Sequence, residues 1–90
     1  MSDIKSSVSI VIPHWNNVDV LSECLESISA TDFDNFEIIV VDNSSSDNSV
    51  SWVSANYPNV KLIENDKNYG YAGGCNIGAE AASGDLLIFL

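Results

Sequence analysis

Four short aliphatic runs, each entered or left through polar residues, limit most strongly what this chain can fold into. They are Val8-Ser9-Ile10-Val11-Ile12, Glu37-Ile38-Ile39-Val40-Val41, Val60-Lys61-Leu62-Ile63 and the segment from Asp85 to Leu90. A run of this length that is apolar at nearly every position fits a strand covered on both faces, as in a parallel sheet flanked by helices. The segments between the runs have helical spacing. Leu21, Leu25 and Ile28 recur at i, i+4 and i+7 behind Asn16 or Asn17, either of which can cap that helix. Ser46 or Asp47 can cap a second helix bearing Val50, Val53 and Tyr57, with Pro58 just past its end. A third helix is expected from about Gly74 to Ala82, made of small residues that pack close to a sheet, with Gly84 ending it. Pro13 is expected to close the first strand, and Thr31 to Asn35 to form a polar turn. The order βαβαβ-loop-αβ with right-handed crossovers predicts an α/β fold: a Rossmann-like open, mostly parallel sheet with helices on both faces. Residues 1–7 are expected to be a flexible lead-in, and 8–90 to be the folded unit.

Ninety residues allow one domain with a modest core. Thirteen acidic residues against three lysines and no arginine give a formal charge of −10, which excludes the clustered cations that nucleic-acid binding needs. The same charge disfavours anionic membrane surfaces. Cys24 and Cys75 lack metal-ligand spacing, and Cys24 falls on an apolar helical face as a small buried thiol would. No basic n-region precedes an apolar h-region, and no apolar run is long enough to cross a bilayer. A cytoplasmic setting is expected, with membrane association through segments beyond residue 90 left open.

In open α/β sheets ligands bind outside the carboxyl ends of the strands, near a switch in strand order. Three polar loops fall at those ends: Pro13-His14-Trp15-Asn16-Asn17, Asp42 to Asp47, and Asn65 to Gly70. Asp42 is the first candidate. A carboxylate there can accept from a pyrimidine imide N–H or a ribose hydroxyl, or it can simply start the turn. Asp47 suits the capping role better, which leaves Asp42 free for a ligand. Trp15 either walls a base pocket or packs in the core; Trp52 reads as packing alone. His14, the single histidine, has no convergent carboxylates to make a metal site and reads as a loop residue rather than a base.

The segment Asn68-Tyr69-Gly70-Tyr71-Ala72-Gly73-Gly74-Cys75-Asn76-Ile77-Gly78 carries glycines ahead of a helix. Such glycines bring backbone N–H groups up to a pyrophosphate, or else form a tight turn feeding a closely packed helix. The spacing is neither Gly-x-Gly-x-x-Gly nor a Walker-type loop. A receiver-like domain is disfavoured, because no acidic pair follows the first strand.

These pieces, with Val11-Ile12-Pro13-His14-Trp15-Asn16, Val40-Val41-Asp42-Asn43-Ser44-Ser45-Ser46-Asp47 and Gly84-Asp85-Leu86-Leu87-Ile88-Phe89-Leu90, follow one another in the order and at the distances seen in one family. The chain resembles family 2 glycosyltransferases of the GT-A fold from Val8 to Leu90. That resemblance implies transfer of a sugar from a nucleoside-diphosphate donor to a saccharide acceptor. It implies donor contacts at Pro13, Trp15, Asn16, Asp42, Asn43, Ser44, Asn68, Gly70, Gly73 and Gly74. The Asn-x-Gly-Tyr-Ala-Gly-Gly-x-Asn-x-Gly form is similar to the rhamnosyl- and galactofuranosyltransferase branch, which points to a UDP or dTDP donor.

Family members follow the strand matching Leu86 to Leu90 with an Asp-x-Asp type motif that holds Mn²⁺ or Mg²⁺; the catalytic base lies further on. The resemblance thus implies a sheet truncated after about the fourth strand, supplying the nucleotide-sugar-binding half, with no metal ligand or catalytic residue of its own and no transfer activity alone. The competing readings are a non-catalytic nucleotide-binding module and a purely structural α/β domain. An unpaired sheet edge would invite self-association or strand swapping.

Overall fold

The computed structural model describes residues 7–31 and 35–90. The elements run β1 (Val8–His14), α1 (Val18–Ser29), β2 (Phe36–Asp42), α2 (Ser49–Asn56), β3 (Lys61–Glu64), α3 (Gly70–Ala81) and β4 (Leu86–Phe89). The four strands form one parallel sheet in the order β3-β2-β1-β4. The chain moves outward from β1 to β3 and then returns to the other side of β1. That reversal places a switch point between β1 and β4, where such sheets open a crevice at their carboxyl edge.

Alternation along the strands divides the core. Ile12 and Val40 meet Leu21 and Leu25 of α1 and Val53 of α2, with Trp52 and Tyr57 packed at the margin. Val11, Ile39 and Val41 form the opposite layer, joined by Ile77 of α3. Helices therefore cover both faces, as the aliphatic runs require. The expected face Leu21, Leu25, Ile28 of α1 packs as predicted, and Asn17 is its cap, accepting from Val20 N at φ +67°. Cys24 is half-buried against this layer, and burial pushes its thiol pKa up.

The small residues of α3 have a definite task. A Cβ on Gly74 would stand 2.8 Å from Pro13 Cβ, and one on Gly78 would collide with Val11 Cγ1. One turn apart, these two glycines let α3 lie directly on β1.

Four boundaries depart from expectation. The β1 strand runs through Pro13 to His14 instead of stopping at the proline. Val8 N donates to Asn35 O and His14 O accepts from Asn43 N, whereas Val11 O accepts from Leu90 N. Alternate residues thus bond opposite neighbours, so the missing N–H of Pro13 faces the β4 side and the ladder to β2 is left unbroken. The third helix starts at Gly70, not Gly74, and the glycines lie inside it. Asn48 stands at the N-cap of α2 without a side-chain bond, while Asp47 Oδ1 accepts from Ser49 N and Ser49 Oγ just outside. Ser7, expected to fray, is tied to β4: its carbonyl accepts from Asp85 N and Leu86 N, both at 3.0 Å. The rest of the lead-in and residues 32–34 of the expected turn lie outside the described residues.

At the amino edge, Glu37 ties the sheet together. Its Oε2 accepts from Ser9 Oγ at 2.6 Å, Ser83 N at 2.7 Å and Ser83 Oγ at 2.8 Å, and Lys61 Nζ lies 3.5 Å from Oε1. Ser9 Oγ in turn accepts from Gly84 N at 2.8 Å. These bonds, led by that from Ser9, hold the Glu37 pKa down at about 2 against an ordinary 4.5. A depressed carboxylate stabilises the fold above its unfolded pKa, and that contribution disappears as pH falls from 4.5 through about 2. Glu37→Gln is expected to cost about 2 kcal/mol at pH 7, the scale of hydrogen bonds to a charged group. Urea unfolding at pH 7 and pH 3 checks this: the gap between variant and parent should narrow at the lower pH.

The β4 strand forms one edge of this sheet. Leu86, Leu87, Ile88, Phe89 and Leu90 are all exposed. Among the described residues no helix is long and apolar enough to cross a membrane.

Candidate functional site

Three loops meet at the carboxyl edge because side chains lock each to the next. Asn16, after β1, accepts through Oδ1 from Ser46 N at 2.8 Å and Asp47 N at 3.3 Å, while its own N–H donates to Ser45 Oγ at 2.8 Å. Asn43, after β2, accepts through Oδ1 from Asn65 Nδ2 at 2.9 Å and Tyr69 N at 3.3 Å, and donates from Nδ2 to Gly70 O at 3.2 Å. Asn43 is only 3% exposed. The first latch joins the β1 and β2 loops, and the second joins the β2 loop to the β3 loop and the start of α3.

The latches hold unusual backbone. Asn16, Asn17 and Ser44 have φ of +52°, +67° and +63°. Asparagine tolerates the left-handed region; serine seldom enters it. Such conformations persist when surrounding bonds over-determine them, and they cluster where a ligand must be met by a preset surface.

Asp42 is buried at 3% exposure and is not free in the sense expected. Its Oδ2 accepts from Ser45 N at 2.9 Å and its Oδ1 from Ser45 Oγ at 2.6 Å. Asp42 and Asp47 therefore both shape turns. Each carboxylate oxygen has a second lone pair, so acceptor capacity remains at Asp42.

His14 is also placed differently from expectation. It ends β1, is 8% exposed, and its Nε2 lies 2.9 Å from Ser49 Oγ. Burial lowers its pKa, outweighing the nearby Asp42 and Asp47 charges that raise it, so the ring is neutral at neutral pH.

A groove of about 220 Å³ opens over these latches, lined by Pro13, His14, Trp15, Asn43, Asn68, Gly70 and Tyr71. Five of those seven are residues the sequence singled out. Trp15 is 55% exposed, so the core-packing alternative is ruled out for it, and Tyr71 is 60% exposed beside it on the groove wall. Asn68 Oδ1 accepts from Gly70 N at 2.8 Å, which leaves the N–H groups of Tyr71 and Ala72 as the remaining first-turn donors of α3. Asn16, Asp42 and Ser44 stand in the supporting loops instead of on the groove wall. Gly73 and Gly74 sit within α3, Gly74 against Pro13 and Gly73 against Tyr69, where they serve packing and form no phosphate loop.

Ser45, Ser49 and Asn65 were not anticipated. The Ser-rich stretch offered a signal for the first two, but which serine bonds which acid depends on the turn. A larger hollow of about 380 Å³ at the amino edge, lined by Ser29, Phe36 and Tyr57 among others, contains none of the candidate residues.

No group of three or more His, Cys, Asp or Glu side chains that could hold a metal occurs among the described residues.

A parallel sheet with a switch point beside β1, polar loops latched at its carboxyl edge and a groove at a helix start define an α/β domain of the GT-A kind. The comparisons with known proteins agree. The sequence pattern of "Glycosyl transferase family 2" matches residues 9–90. The chain belongs to that family. It is 37% identical over 83 residues to an uncharacterized glycosyltransferase of Haemophilus influenzae, covering 92% of this chain and 28% of that protein. It is 36% identical over 89 residues to the poly(ribitol-phosphate) beta-glucosyltransferase of Bacillus spizizenii, covering 92% and 14%. The mannosyltransferase PcManGT of Pyrobaculum calidifontis, solved with GDP-Man and Mn²⁺, superposes with a TM-score of 0.83 at 25% identity, covering 94% of this chain and 27% of that one. S. aureus TarS 1-349 in complex with UDP gives 0.83 at 27% identity, covering 93% and 26%. The chain spans less than a third of the length of each of these relatives.

Proposed function

We propose that residues 8–90 are the nucleotide-sugar-binding half of a glycosyltransferase that moves a sugar from a UDP or dTDP donor to a saccharide acceptor. The observation that carries this reading is the convergence of Pro13, Trp15, Asn43, Asn68 and Gly70 on one latched groove. At about 220 Å³ the groove is smaller than the ~300–1,000 Å³ typical of small-molecule sites, which suits the nucleoside end of a donor more than the whole of it. Trp15 offers a flat apolar face to the base, and Asp42, in register with His14 behind the groove wall, keeps acceptor capacity for an imide or ribose donor. The start of α3, with its unpaired first-turn amides, favours an anion such as the diphosphate. The chain's own charge opposes that anion, so a divalent cation, held by residues outside those described, belongs with the donor in the complete enzyme. Sugar transfer by residues 8–90 alone is not expected.

Thermal shift against UDP, dTDP, GDP and CDP, with and without Mn²⁺, tests the reading. A ligand at ten times its Kd should add about 1.4 kcal/mol, or roughly 6–10 °C for so small a domain. The shift should be selective for UDP or dTDP and vanish in Asp42→Ala. It should survive in Ser45→Ala, which removes the hydroxyl bond to Asp42 Oδ1 yet keeps the carboxylate and the backbone N–H bond to Oδ2. Absence of any shift at millimolar nucleotide would reject nucleotide binding and leave the loops a purely structural role.

The exposed apolar β4 strand is the expected place for association between copies, by edge pairing or strand exchange. Light scattering should find a dimer or larger species at high concentration, reduced by Ile88→Lys. A clean monomer throughout would count against it.

A further inference from the structure

The bonding around His14 determines which ring nitrogen holds its proton, and that has a consequence for the ligand. Ser49 Oγ lies 2.5 Å from Asp47 Oδ1, and Ser49 N donates to the same oxygen at 3.0 Å. A carboxylate only accepts, so the single hydroxyl proton of Ser49 is given to Asp47. The 2.9 Å contact between Ser49 Oγ and His14 Nε2 must then be donated by the ring. A neutral imidazole with its proton on Nε2 has a bare lone pair on Nδ1. No described residue donates a hydrogen bond to that nitrogen. The residue is 8% exposed, lines the groove, and stands in register with Asp42 on the neighbouring strand. A buried acceptor without a partner calls for a donor supplied by whatever fills the groove.

We propose that His14 is a specificity-determining residue of the nucleoside groove, its Nδ1 accepting a hydrogen bond from an N–H or O–H of the bound nucleoside. Asp47 and Ser49 act as positioning residues that hold the tautomer. This inference rests on the nucleotide-binding reading above.

The two ring nitrogens can be separated by substitution. Glutamine at position 14 places an amide nitrogen near the position of Nε2 and nothing at Nδ1; asparagine does the reverse. His14→Gln should keep the contact with Ser49 and a near-parental Tm, yet bind UDP about tenfold more weakly in calorimetry, the loss of one hydrogen bond. His14→Asn should melt earlier and keep UDP affinity within about threefold. Three probes then locate the donor: 3-methyl-UDP lacks the imide N–H, and 2′-deoxy-UDP and 3′-deoxy-UDP each lack one ribose hydroxyl. The probe missing the group that meets Nδ1 should bind parent and His14→Gln equally.

If UDP binds the parent and His14→Gln alike, the assignment of His14 is overturned while nucleotide binding stands. If His14→Gln weakens UDP and all three probes by the same factor, the assignment is likewise overturned, because no nucleoside donor is coupled to Nδ1. If no nucleotide binds the parent at all, both readings fall together. Should His14→Gln not fold, His14→Asn decides: a loss of UDP affinity well beyond threefold in a folded variant overturns the assignment.

Discussion

Gly78→Ala is expected to lower the melting temperature by about 10–20 °C, a very large effect for the addition of one methyl group. The new Cβ would collide with Val11 Cγ1 and stand 3.1 Å from Val41 Cγ2, two side chains that are fully buried in the middle of the sheet. Neither valine can swing away, because β-branched side chains have few rotamers and these two are packed on all sides. Overpacking of this kind costs about 1–3 kcal/mol and sometimes more, whereas alanine in place of helical glycine returns about 1 kcal/mol. With steric overlap at Val11 and a tight contact at Val41, the net loss should be about 2–3 kcal/mol. For a domain of this size each kcal/mol moves Tm by about 4–8 °C. Asn76→Ala, at an exposed position of the same helix, provides the control and should leave Tm unchanged or slightly raised. An unchanged Tm for Gly78→Ala would mean that α3 stands further from β1 than described.

Asn43→Ala should come close in magnitude, by a different mechanism. Three hydrogen bonds end on this one buried amide, and truncation leaves Asn65 Nδ2 and Tyr69 N without their acceptor and Gly70 O without its side-chain donor. Unsatisfied buried polar groups cost about 1–3 kcal/mol each, and water entering the opened groove recovers part of that. A loss of about 3 kcal/mol is expected. Hydrogen exchange should locate it: the amides at the start of α3, Tyr69 above all, should exchange faster while those of β1 and β2 change only with global stability. Asn43→Asp keeps an acceptor for Asn65 and Tyr69 but loses the donor to Gly70, so it should fall between parent and alanine. If Asn43→Ala unfolds no earlier than the parent, the β2 and β3 loops are held together by something other than this amide.

Much of the fold was legible because it follows from short-range pattern. A five-residue aliphatic run such as Glu37 to Val41 has few stable fates other than a covered strand, and Leu21, Leu25 and Ile28 lie on one helical face by spacing alone. The gathering of the polar loops at the carboxyl edge followed from the parallel topology, without any knowledge of side-chain contacts. Errors arose where a residue's role depends on a distant partner. Pro13 was read as a strand stop, because a sequence does not show which neighbour its missing N–H would have faced. By sequence Gly70 and Gly73 fall in a loop ahead of the helix, because glycine disfavours helix in isolation. Packing against Pro13 and Val11 overrides that preference, since only a helix without side chains on that face can lie on β1.

The amino-acid sequence by itself determined the parallel α/β class, the edge at which the polar loops gather, the family, and five of the seven groove residues. Each of these depends on local apolar spacing and on residue type at strand ends, and both are written in the order of the letters. Only the tertiary structure decided that Asn16 and Asn43 hold the loops, that Asp42 is committed to Ser45, and that Glu37 ties the amino edge together. It alone brought Ser49 to His14 across 35 positions and so determined the histidine's tautomer. A hydrogen bond is set by distances of a few tenths of an ångström between groups far apart in the chain, and the folded backbone decides which donor reaches which acceptor.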